Sequence, residues 1–183
     1  MDRIILESQL KKYRTPYEEE SQFISSFIEL VEDPQAYKRE LLSGHFTASA
    51  WIVNKKRTHT LLTLHRKLGR WLQLGGHADG NENLLEVAMK EAREESGLKS
   101  LTFVDETIFD IDKHIIPLRP HVQEHFHYDV RYILEADLKE PLVKNHESIS
   151  LAWVAFESVQ DVIGYNPSIL RMLDKTSKSE ILM

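Results

Sequence analysis

The range 76–98 has the composition and spacing of a metal site. A glycine opens the segment, and a stretch with helical periodicity follows in which three glutamates lie within five residues, namely Glu91, Glu94 and Glu95. Carboxylates three or four residues apart share one face of a helix and repel each other. A divalent cation that prefers oxygen ligands, such as Mg²⁺ or Mn²⁺, would relieve this repulsion. The spacing therefore predicts a helix that binds such a cation.

The position of these carboxylates relative to the apolar side of the helix favours the same interpretation. At about 100° per residue, Glu91 and Glu95 lie on the same side as Ala88, and Glu94 lies at the edge of that side. A solvated acidic face would instead lie opposite the core. Because an unpaired charge in a partly buried position is costly, the pattern again indicates a bound cation.

The segment resembles the Nudix box, G-x5-E-x7-R-E-U-x-E-E-x-G-U, where U is a bulky aliphatic residue. The spacing matches throughout, from Gly76 through Glu82 to Gly97. Two positions differ: Lys90 stands where the box has arginine, and Ala92 is small at an aliphatic position. Lysine keeps the positive charge but lacks the two-pronged geometry of a guanidinium. All metal-binding carboxylates of the box are present, which favours a working enzyme.

The resemblance implies a hydrolase that depends on Mg²⁺ or Mn²⁺. Its reaction would cleave the phosphoanhydride bond of a nucleoside diphosphate linked to another group, as in a nucleotide sugar, a dinucleotide or a nucleoside triphosphate. The metal ligands that it implies are the backbone carbonyl of Gly75 and the side chains of Glu91, Glu94 and Glu95; the structural residues are Gly76, Glu82, Lys90 and Gly97. The alternative is a non-catalytic Nudix-fold binding or regulatory module, but such modules usually lose one or more box carboxylates.

The general base differs among Nudix enzymes, which use either a box glutamate or a glutamate from a later loop. Glu147 precedes the last predicted strand and is our candidate for the base or for an additional metal ligand. An ordinary loop acid is the alternative at this position. Glu140 is a weaker candidate.

Histidines are unusually frequent, with nine in the chain. His77 directly follows the glycine pair, and His125, His127 and Asp129 alternate along one predicted strand, so they share a face. The range 110–114 has a similar alternation of acids and a histidine. Three interpretations are open for this polar patch: a second metal site, recognition of substrate phosphate or base, and buried histidines with a structural role.

Other residues near the box also have two interpretations each. Arg66 and Arg70 precede the box and would either meet a phosphate or belong to a solvated loop. The Trp71 ring would either stack on a nucleobase or join the core. His45 and His65 lie at the start and end of the first two predicted strands and share the interpretations of the other histidines.

Composition limits the class of protein. The 183 residues, of which 42% are hydrophobic and 28% charged, are typical of one soluble globular domain. There is no apolar run long enough to span a membrane, and the apolar stretch at the N-terminus is too short for a signal peptide. The absence of cysteine excludes disulfides and thiolate metal sites. We therefore expect a cytoplasmic protein.

The charge balance bears on partners. The net charge is −6 and there is no basic tract, which argues against RNA as the substrate because RNA binding needs a basic surface. We expect a small nucleotide diphosphate substrate, no membrane contact, and a homodimer as one use of the N-terminal helices.

Periodicity predicts the order of elements. Residues 1–43 read as a helical extension, with helix starts at Thr15–Pro16 and Asp33–Pro34 and an apolar stripe that packs on the core or on a partner. From Phe46 the period changes to two, which is typical of strands. We expect a catalytic core over 44–156 and a C-terminal helix and tail over 157–183, with the helix at about 157–174 and a frayed tail from Thr176.

Strands on both sides of one internal helix, followed by a C-terminal helix, predict a mixed sheet between helices. The resemblance implies the Nudix α/β/α sandwich, so we expect one α/β domain over residues 1–183 with an N-terminal helical extension.

Overall fold

A computed structural model describes residues 3–120 and 122–178. Its helices are α1 (Arg3–Lys12), α2 (Glu18–Val31), α3 (Leu84–Ser96), α4 (Val159–Ile163) and α5 (Pro167–Lys178). Its strands are β1 (His45–Asn54), β2 (His59–His65), β3 (Arg70–Leu72), β4 (Leu74–His77), β5 (Thr102–Phe103), β6 (Asp110–Ile116), β7 (His125–Ala136) and β8 (Ser148–Ala155). A short 3₁₀ turn, Phe156–Ser158, precedes α4. No helix in this part of the chain is long and apolar enough to cross a membrane.

The strands join in one sheet, in which β3, β2, β1, β7 and β5 follow one another; β4 pairs with β1, β6 with β7 and β8 with β2. Residues of β1 are buried along the whole strand, as expected for a strand covered on both faces. The pairings of β6 with β7 and of β2 with β8 are antiparallel and extend over seven register pairs each. Strands with helices before, among and after them confirm the α/β class and the N-terminal helical extension.

The chain divides into two compact units. The first comprises the ranges 1–49, 75–88 and 107–132, and the second the ranges 50–74, 89–106 and 133–183. β1, α3 and β7 therefore each contribute residues to both units. The candidate residues of the predicted site are distributed over the two.

In the first unit the N-terminal helices pack on the strands. The ring of Phe27 on α2 lies 5.2 Å from the ring of Tyr128 on β7 and 6.0 Å from that of Phe46 on β1, measured between centroids. Leu6 and Leu10 on α1 are buried as well. The apolar stripe of the extension is thus part of the core of this unit.

A buried carboxylate ties the same helices to β6. Glu20 on α2 is fully buried and accepts hydrogen bonds from the Tyr13 hydroxyl (2.6 Å) and from the backbone N–H of Ile111 (3.1 Å). The Thr15 hydroxyl also donates to Glu20. The burial of Glu20 cannot be inferred from the local sequence, because nothing there distinguishes Glu20 from the two glutamates before it.

The predicted helix starts are partly wrong. α2 begins at Glu18 after Tyr17, not at Thr15–Pro16, because the Thr15 side chain bonds to Glu20 instead of capping the helix. Around Asp33 the described chain forms turns and no helix. There the Asp33 carboxylate accepts a hydrogen bond from the backbone N–H of Gln35 at 2.8 Å, which closes a turn.

The C-terminal prediction also needs correction. In place of one helix over 157–174, a 3₁₀ turn, α4 and α5 follow one another, because Gly164 ends α4 with a positive φ of 66°. α5 continues to Lys178, and the Thr176 hydroxyl is buried, where it accepts a hydrogen bond from Trp51 Nε1 at 2.9 Å. The start of the predicted frayed tail is therefore helical, and its residues 179–183 lie outside the described part of the chain.

The strands on either side of the box are interrupted. The run 71–77 forms two strands, β3 and β4, with a break at Gln73. The run 101–116 likewise divides into the two-residue β5 and the longer β6.

Candidate active site

The start of α3 is fixed by an N-cap in the first unit. The side-chain oxygen of Asn83 accepts a hydrogen bond from the backbone N–H of Glu86 at 3.3 Å, which satisfies an N–H that the helix itself leaves free. Glu82, the first acid of the box, lies half-buried in the loop just before this cap. The helix that the spacing predicts is therefore present, and it begins at Leu84.

The end of α3, in the second unit, depends on Gly97. This residue has a positive φ of 72° and donates its backbone N–H to the carbonyl of Arg93 at 2.8 Å. A Cβ added there would lie 2.6 Å from the Cβ of Val143. Both the backbone conformation and the space therefore require glycine at residue 97.

The burial of the three box glutamates follows helix geometry. Glu95 is buried, the Glu91 side chain is 17% exposed, and the Glu94 side chain is 56% exposed. This gradient agrees with the prediction that Glu91 and Glu95 share the apolar side and that Glu94 lies at its edge. The acidic group therefore lies partly in a desolvated position.

Lys90 provides the positive charge beside these carboxylates. Its Nζ lies 3.3 Å from Oε1 of Glu91 and 3.6 Å from Oε2 of Glu94. Lysine contacts both acids as a point charge, so it can balance them without the fork of an arginine. The contacts explain how a lysine can occupy the arginine position of the box.

The charge of Glu147 acts on Glu91. Burial raises the pKa of Glu91, and the carboxylates of Glu94 and Glu147 raise it further, whereas Lys90 lowers it. Glu147 is therefore close enough to Glu91 to act on its charge. Lys90 contacts two of these acids, and Glu147 adds a third negative charge that acts on Glu91, so the group has net negative charge, which favours the binding of a cation.

The segment that carries Glu147 is held by its backbone. Asn145 accepts a hydrogen bond from the N–H of Glu147 through its side-chain oxygen (2.9 Å), and the N–H of Arg66 donates to the Glu147 carbonyl (2.8 Å). The Arg66 guanidinium donates to the carbonyls of His146 (2.9 Å) and Ser148 (3.2 Å). Arg66 thus holds the backbone on both sides of the exposed Glu147 side chain.

This use of Arg66 was not foreseen from the sequence, which indicated either a residue that meets a phosphate or part of a solvated loop. Arg70 is exposed on β3, where it is the register partner of His65 on β2. Its guanidinium is thus positioned at the surface of the second unit.

In the first unit Gly75 packs against β1. A Cβ at Gly75 would lie 2.4 Å from Oγ of Ser49 and 2.7 Å from the carbonyl oxygen of Ala48. Only glycine allows β4 to approach β1 so closely. The neighbouring Gly76 and His77 are half-buried. β1 therefore accounts for the glycine at this position, and the metal-ligand role of the Gly75 carbonyl stays a prediction.

Asp129 lies in a buried network of the same unit. Its carboxylate accepts hydrogen bonds from Thr47 (2.9 Å), from Ser49 (2.9 Å to each oxygen) and from Nε of Arg131 (2.7 Å). Burial alone would lower the pKa of Arg131, but the charges of the surrounding aspartates raise it above its usual value. Arg131 also contacts Asp110 (3.1 Å) and Asp112 (3.2 Å) on β6. Protein donors thus engage both oxygens of Asp129.

Five histidines of the first unit come together, and we call them the histidine cluster: His45, His77, His114, His125 and His127. Six pairs of these rings have centroid distances between 4.8 and 5.4 Å. They belong to β1, β4, β6 and β7, and His114 is the register partner of His127. The predicted polar patch on β6 and β7 is present, and the structure adds His45 and His77 to it.

The rings at the centre of the cluster are neutral near pH 7. Burial lowers the pKa of His77 to about 4 and that of His127 to about 2, and neighbouring charges contribute. Burial also lowers the pKa of His45, with His125 adding to this effect and the backbone carbonyl of Leu41 opposing it. Uncharged imidazoles are weak ligands for phosphate, so recognition of an anion by these rings is disfavoured.

Comparison with known proteins gives the same class as the site. The family model for the NUDIX domain matches residues 44–174. No curated protein sequence gives a significant match. Among solved structures, a hydrolase of the NUDIX family from Clostridium perfringens is 26% identical, with a TM-score of 0.57 over 73% of this chain and 96% of that chain.

Two more distant structures share the fold. An Ap4A hydrolase from C. elegans, in a binary complex, is 18% identical, with a TM-score of 0.56 over 72% of this chain and 94% of that chain. The dihydroneopterin triphosphate pyrophosphohydrolase from E. coli is 15% identical, with a TM-score of 0.57 over 70% of this chain and 92% of that chain. The shared fold is a mixed, curled sheet with helices. Because the NUDIX match spans β1 to α5 and includes the whole acidic helix, the chain belongs to the Nudix hydrolase family.

Proposed function

We propose that the protein is a Mg²⁺- or Mn²⁺-dependent hydrolase of a phosphoanhydride in a nucleoside diphosphate linked to another group. The observation that carries this proposal is the contact of Lys90 with both Glu91 and Glu94, together with the charge of Glu147, which acts on Glu91. The single lysine balances only part of the negative charge that these carboxylates carry when ionised. Such a site gains stability from a hard cation.

The donor chemistry fits this cation. Carboxylate oxygens and a backbone carbonyl are the ligands that Mg²⁺ and Mn²⁺ prefer. The ligands would be Glu91, Glu94, Glu95 and the carbonyl of Gly75. A bound metal would neutralise phosphate charge and acidify the attacking water.

A side chain of the second unit would accept the proton of the attacking water. Glu147 is the candidate base: its carboxylate would take the proton from a water molecule as the water oxygen forms a bond to phosphorus. The bond from phosphorus to the bridging oxygen breaks, and that oxygen leaves with the second phosphate-bearing fragment. Arg66 acts as a positioning residue, because its guanidinium binds the backbone on both sides of Glu147.

The substrate class follows from charge and from the similar structures. The net charge of −6 favours a small molecule over RNA. The names of two similar structures, an Ap4A hydrolase and a triphosphate pyrophosphohydrolase, support dinucleotides and triphosphates beside nucleotide sugars as candidates. The exposed Arg70 is available to contact a phosphate.

Release of the two phosphate-bearing products from a substrate panel, followed by chromatography, tests the proposal. The panel contains ADP-ribose, other nucleotide sugars, NADH, dinucleoside polyphosphates, nucleoside triphosphates and a capped RNA, each with Mg²⁺ or Mn²⁺. We expect metal-dependent release from one class of small substrate and its loss in Glu94→Gln, with the fold unchanged by circular dichroism. Equal rates for the wild type and the variant would refute the catalytic role of the box. Hydrolysis in ¹⁸O-labelled water would identify which phosphorus is attacked.

Two further expectations accompany this function. A homodimer is tested by measuring molecular mass in solution by light scattering, where a single-chain mass would contradict it. A cytoplasmic location stays a prediction from composition.

A further inference from the structure

The histidine cluster contains buried nitrogen atoms that lack partners. His45 is 2% exposed, and neither of its ring nitrogens forms a hydrogen bond of normal geometry in the described structure. The Nε2 atom of His127 is buried without a partner as well, again within the described residues. Buried polar atoms usually have partners, because burying an unpaired one is unfavourable. These atoms therefore point to a ligand.

The ligand atoms are close enough to share one ion. One ring nitrogen each of His45, His77 and His127 lies within 4.8 Å of the others. The centroids of these three rings are 5.2, 5.0 and 4.8 Å apart. Three imidazoles bound tetrahedrally to one zinc ion at about 2.0–2.1 Å would have centroids roughly 5 Å apart. Small ring rotations would bring the nitrogens to bonding distance.

We propose that His45, His77 and His127 form a binding site for a borderline divalent transition metal of the Zn²⁺ class. The three donors are imidazole nitrogens, which suit zinc and its neighbours and are poor ligands for Mg²⁺. The site thus differs in donor chemistry from the carboxylates on α3. It also differs from the anion site that a charged histidine patch would form.

The backbone brings the three rings together. Gly44 precedes His45, and a Cβ there would lie 2.7 Å from the carbonyl oxygen of Phe126, between the two histidines of β7. The close approach of Gly75 to β1 positions His77 in the same way. Neither glycine has room for a side chain. The segments that carry His45, His77 and His127 can therefore approach one another closely.

A neighbouring group can complete the site. His125 lies 4.9 Å from His45 between ring centroids, and its Nδ1 donates to the Gln123 carbonyl at 2.7 Å. This hydrogen bond leaves Nε2 of His125 as an acceptor, so this ring is the candidate for the fourth ligand.

Metal analysis of the untagged protein tests the proposal. After treatment with a chelator and dialysis, Zn²⁺ would be titrated by calorimetry in the presence of excess Mg²⁺, and Co²⁺ would be added for visible spectroscopy. We expect one Zn²⁺ per chain that Mg²⁺ does not displace, and the intense ligand-field bands of tetrahedral Co²⁺. Failure of Zn²⁺ to bind, or only weak octahedral Co²⁺ bands, would overturn the assignment.

Variants locate the site. His77→Asn and His127→Asn should each weaken Zn²⁺ binding by at least about tenfold to a hundredfold, the loss seen when a metal's supporting residues are changed. His59→Asn, at the start of β2 and outside the cluster, is the matched control and should bind as the wild type does. Glu94→Gln should retain Zn²⁺ binding even if it abolishes hydrolysis, so the two proposals fail independently. Zn²⁺ affinity that is unchanged in His77→Asn and His127→Asn would overturn the proposal.

An NMR measurement on the wild type locates the bound Zn²⁺ without depending on whether the variants fold. Long-range ¹H–¹⁵N spectra should show that Zn²⁺ shifts the imidazole nitrogens of His45, His77 and His127 while those of His59 and His146 stay unchanged. Shifts confined to other histidines would contradict the assignment.

Discussion

Nε of Arg131 donates a 2.7 Å hydrogen bond to Oδ2 of Asp129, two residues earlier on the same strand. Residues two apart on a strand share a face, so this pair lies side by side on β7. The guanidinium also reaches Asp110, its register partner on β6. One fully buried cation therefore holds together aspartates of two strands in the part of the sheet that carries the histidine cluster.

Replacing Arg131 by Met should unfold or strongly destabilise the protein. The substitution leaves buried carboxylates without their cation, a change that typically costs 3–5 kcal/mol, so we expect a loss of about that size. Urea denaturation followed by circular dichroism measures it. Arg131→Lys keeps the charge and should lose less. If Arg131→Met were as stable as the wild type, the buried aspartates would not need the charge of Arg131, and the prediction would be wrong.

Arg66 and Glu147 should behave as one functional pair. Glu147→Gln should lower kcat by about 10²–10⁴-fold, the usual contribution of a general base, with little change in KM. Arg66→Ala should lower kcat as well, because the backbone that presents Glu147 loses two hydrogen bonds.

The double variant separates positioning from direct contact with substrate. If Arg66 acts only through Glu147, then Arg66→Ala adds little to the loss in Glu147→Gln, because the two changes are not independent. A phosphate-binding Arg66 would instead raise KM, and its effect would multiply with that of Glu147→Gln. Lys56→Ala, in the exposed turn between β1 and β2, is the control for a general loss of basic charge.

Stability should fall in mild acid because of the histidine cluster. The pKa of His77 is lowered to about 4 and that of His127 to about 2 in the folded protein, whereas an unfolded chain has the ordinary value of about 6.5. Below pH 6.5 the unfolded chain therefore takes up protons that the folded chain does not. Each such proton lowers the free energy of unfolding by about 1.4 kcal/mol per pH unit.

Urea denaturation of chelator-treated protein between about pH 7.5 and pH 4.5 measures this slope. The stability is fully present above pH 6.5 and is lost progressively as the pH falls toward the folded pKa values. The variant His77→Asn/His127→Asn should have a shallower slope, since two of the rings whose pKa is lowered in the folded protein are then absent. Equal slopes for the variant and the wild type would show that these rings titrate normally.

Gly97→Ala should be destabilising for two separable reasons. The positive φ is strained for alanine, and the new Cβ would lie 2.6 Å from Val143. We expect a loss of more than about 1 kcal/mol in the free energy of unfolding. Gly69→Ala is the control, because Gly69 has a similar φ of 61° and open space around its Cβ position. A loss no larger than that of Gly69→Ala would mean that the Val143 contact relaxes freely.

Local patterns predicted the features of the fold that depend on near neighbours. The end of α3 follows from the glycine that closes the box, and the burial of Glu91 and Glu95 follows from helical spacing. The alternation on β7 likewise predicted that His125 and His127 share a face. In each case the deciding residues lie within one element.

The features that escaped prediction depend on partners far apart in the chain. The buried Glu20 accepts hydrogen bonds from the N–H of Ile111 and from the Tyr13 hydroxyl. No sequence pattern around residue 20 predicts these two contacts. Arg66 binds a backbone segment about eighty residues later, which basic character alone does not predict. His45 joins the cluster because β1 and β7 approach each other, and this follows from tertiary packing only.

The bond between Glu20 and the N–H of Ile111 has a consequence for where the working protein begins. The family match starts at residue 44, but a chain cut there would lose the acceptor for this N–H and the Phe27 ring that covers Phe46 and Tyr128. β6 would then have a free donor and an uncovered apolar face beside the strand that carries His125 and His127. The smallest piece able to fold and keep its histidines in register therefore includes α1 and α2. The folding unit thus begins before residue 44, where the family match starts.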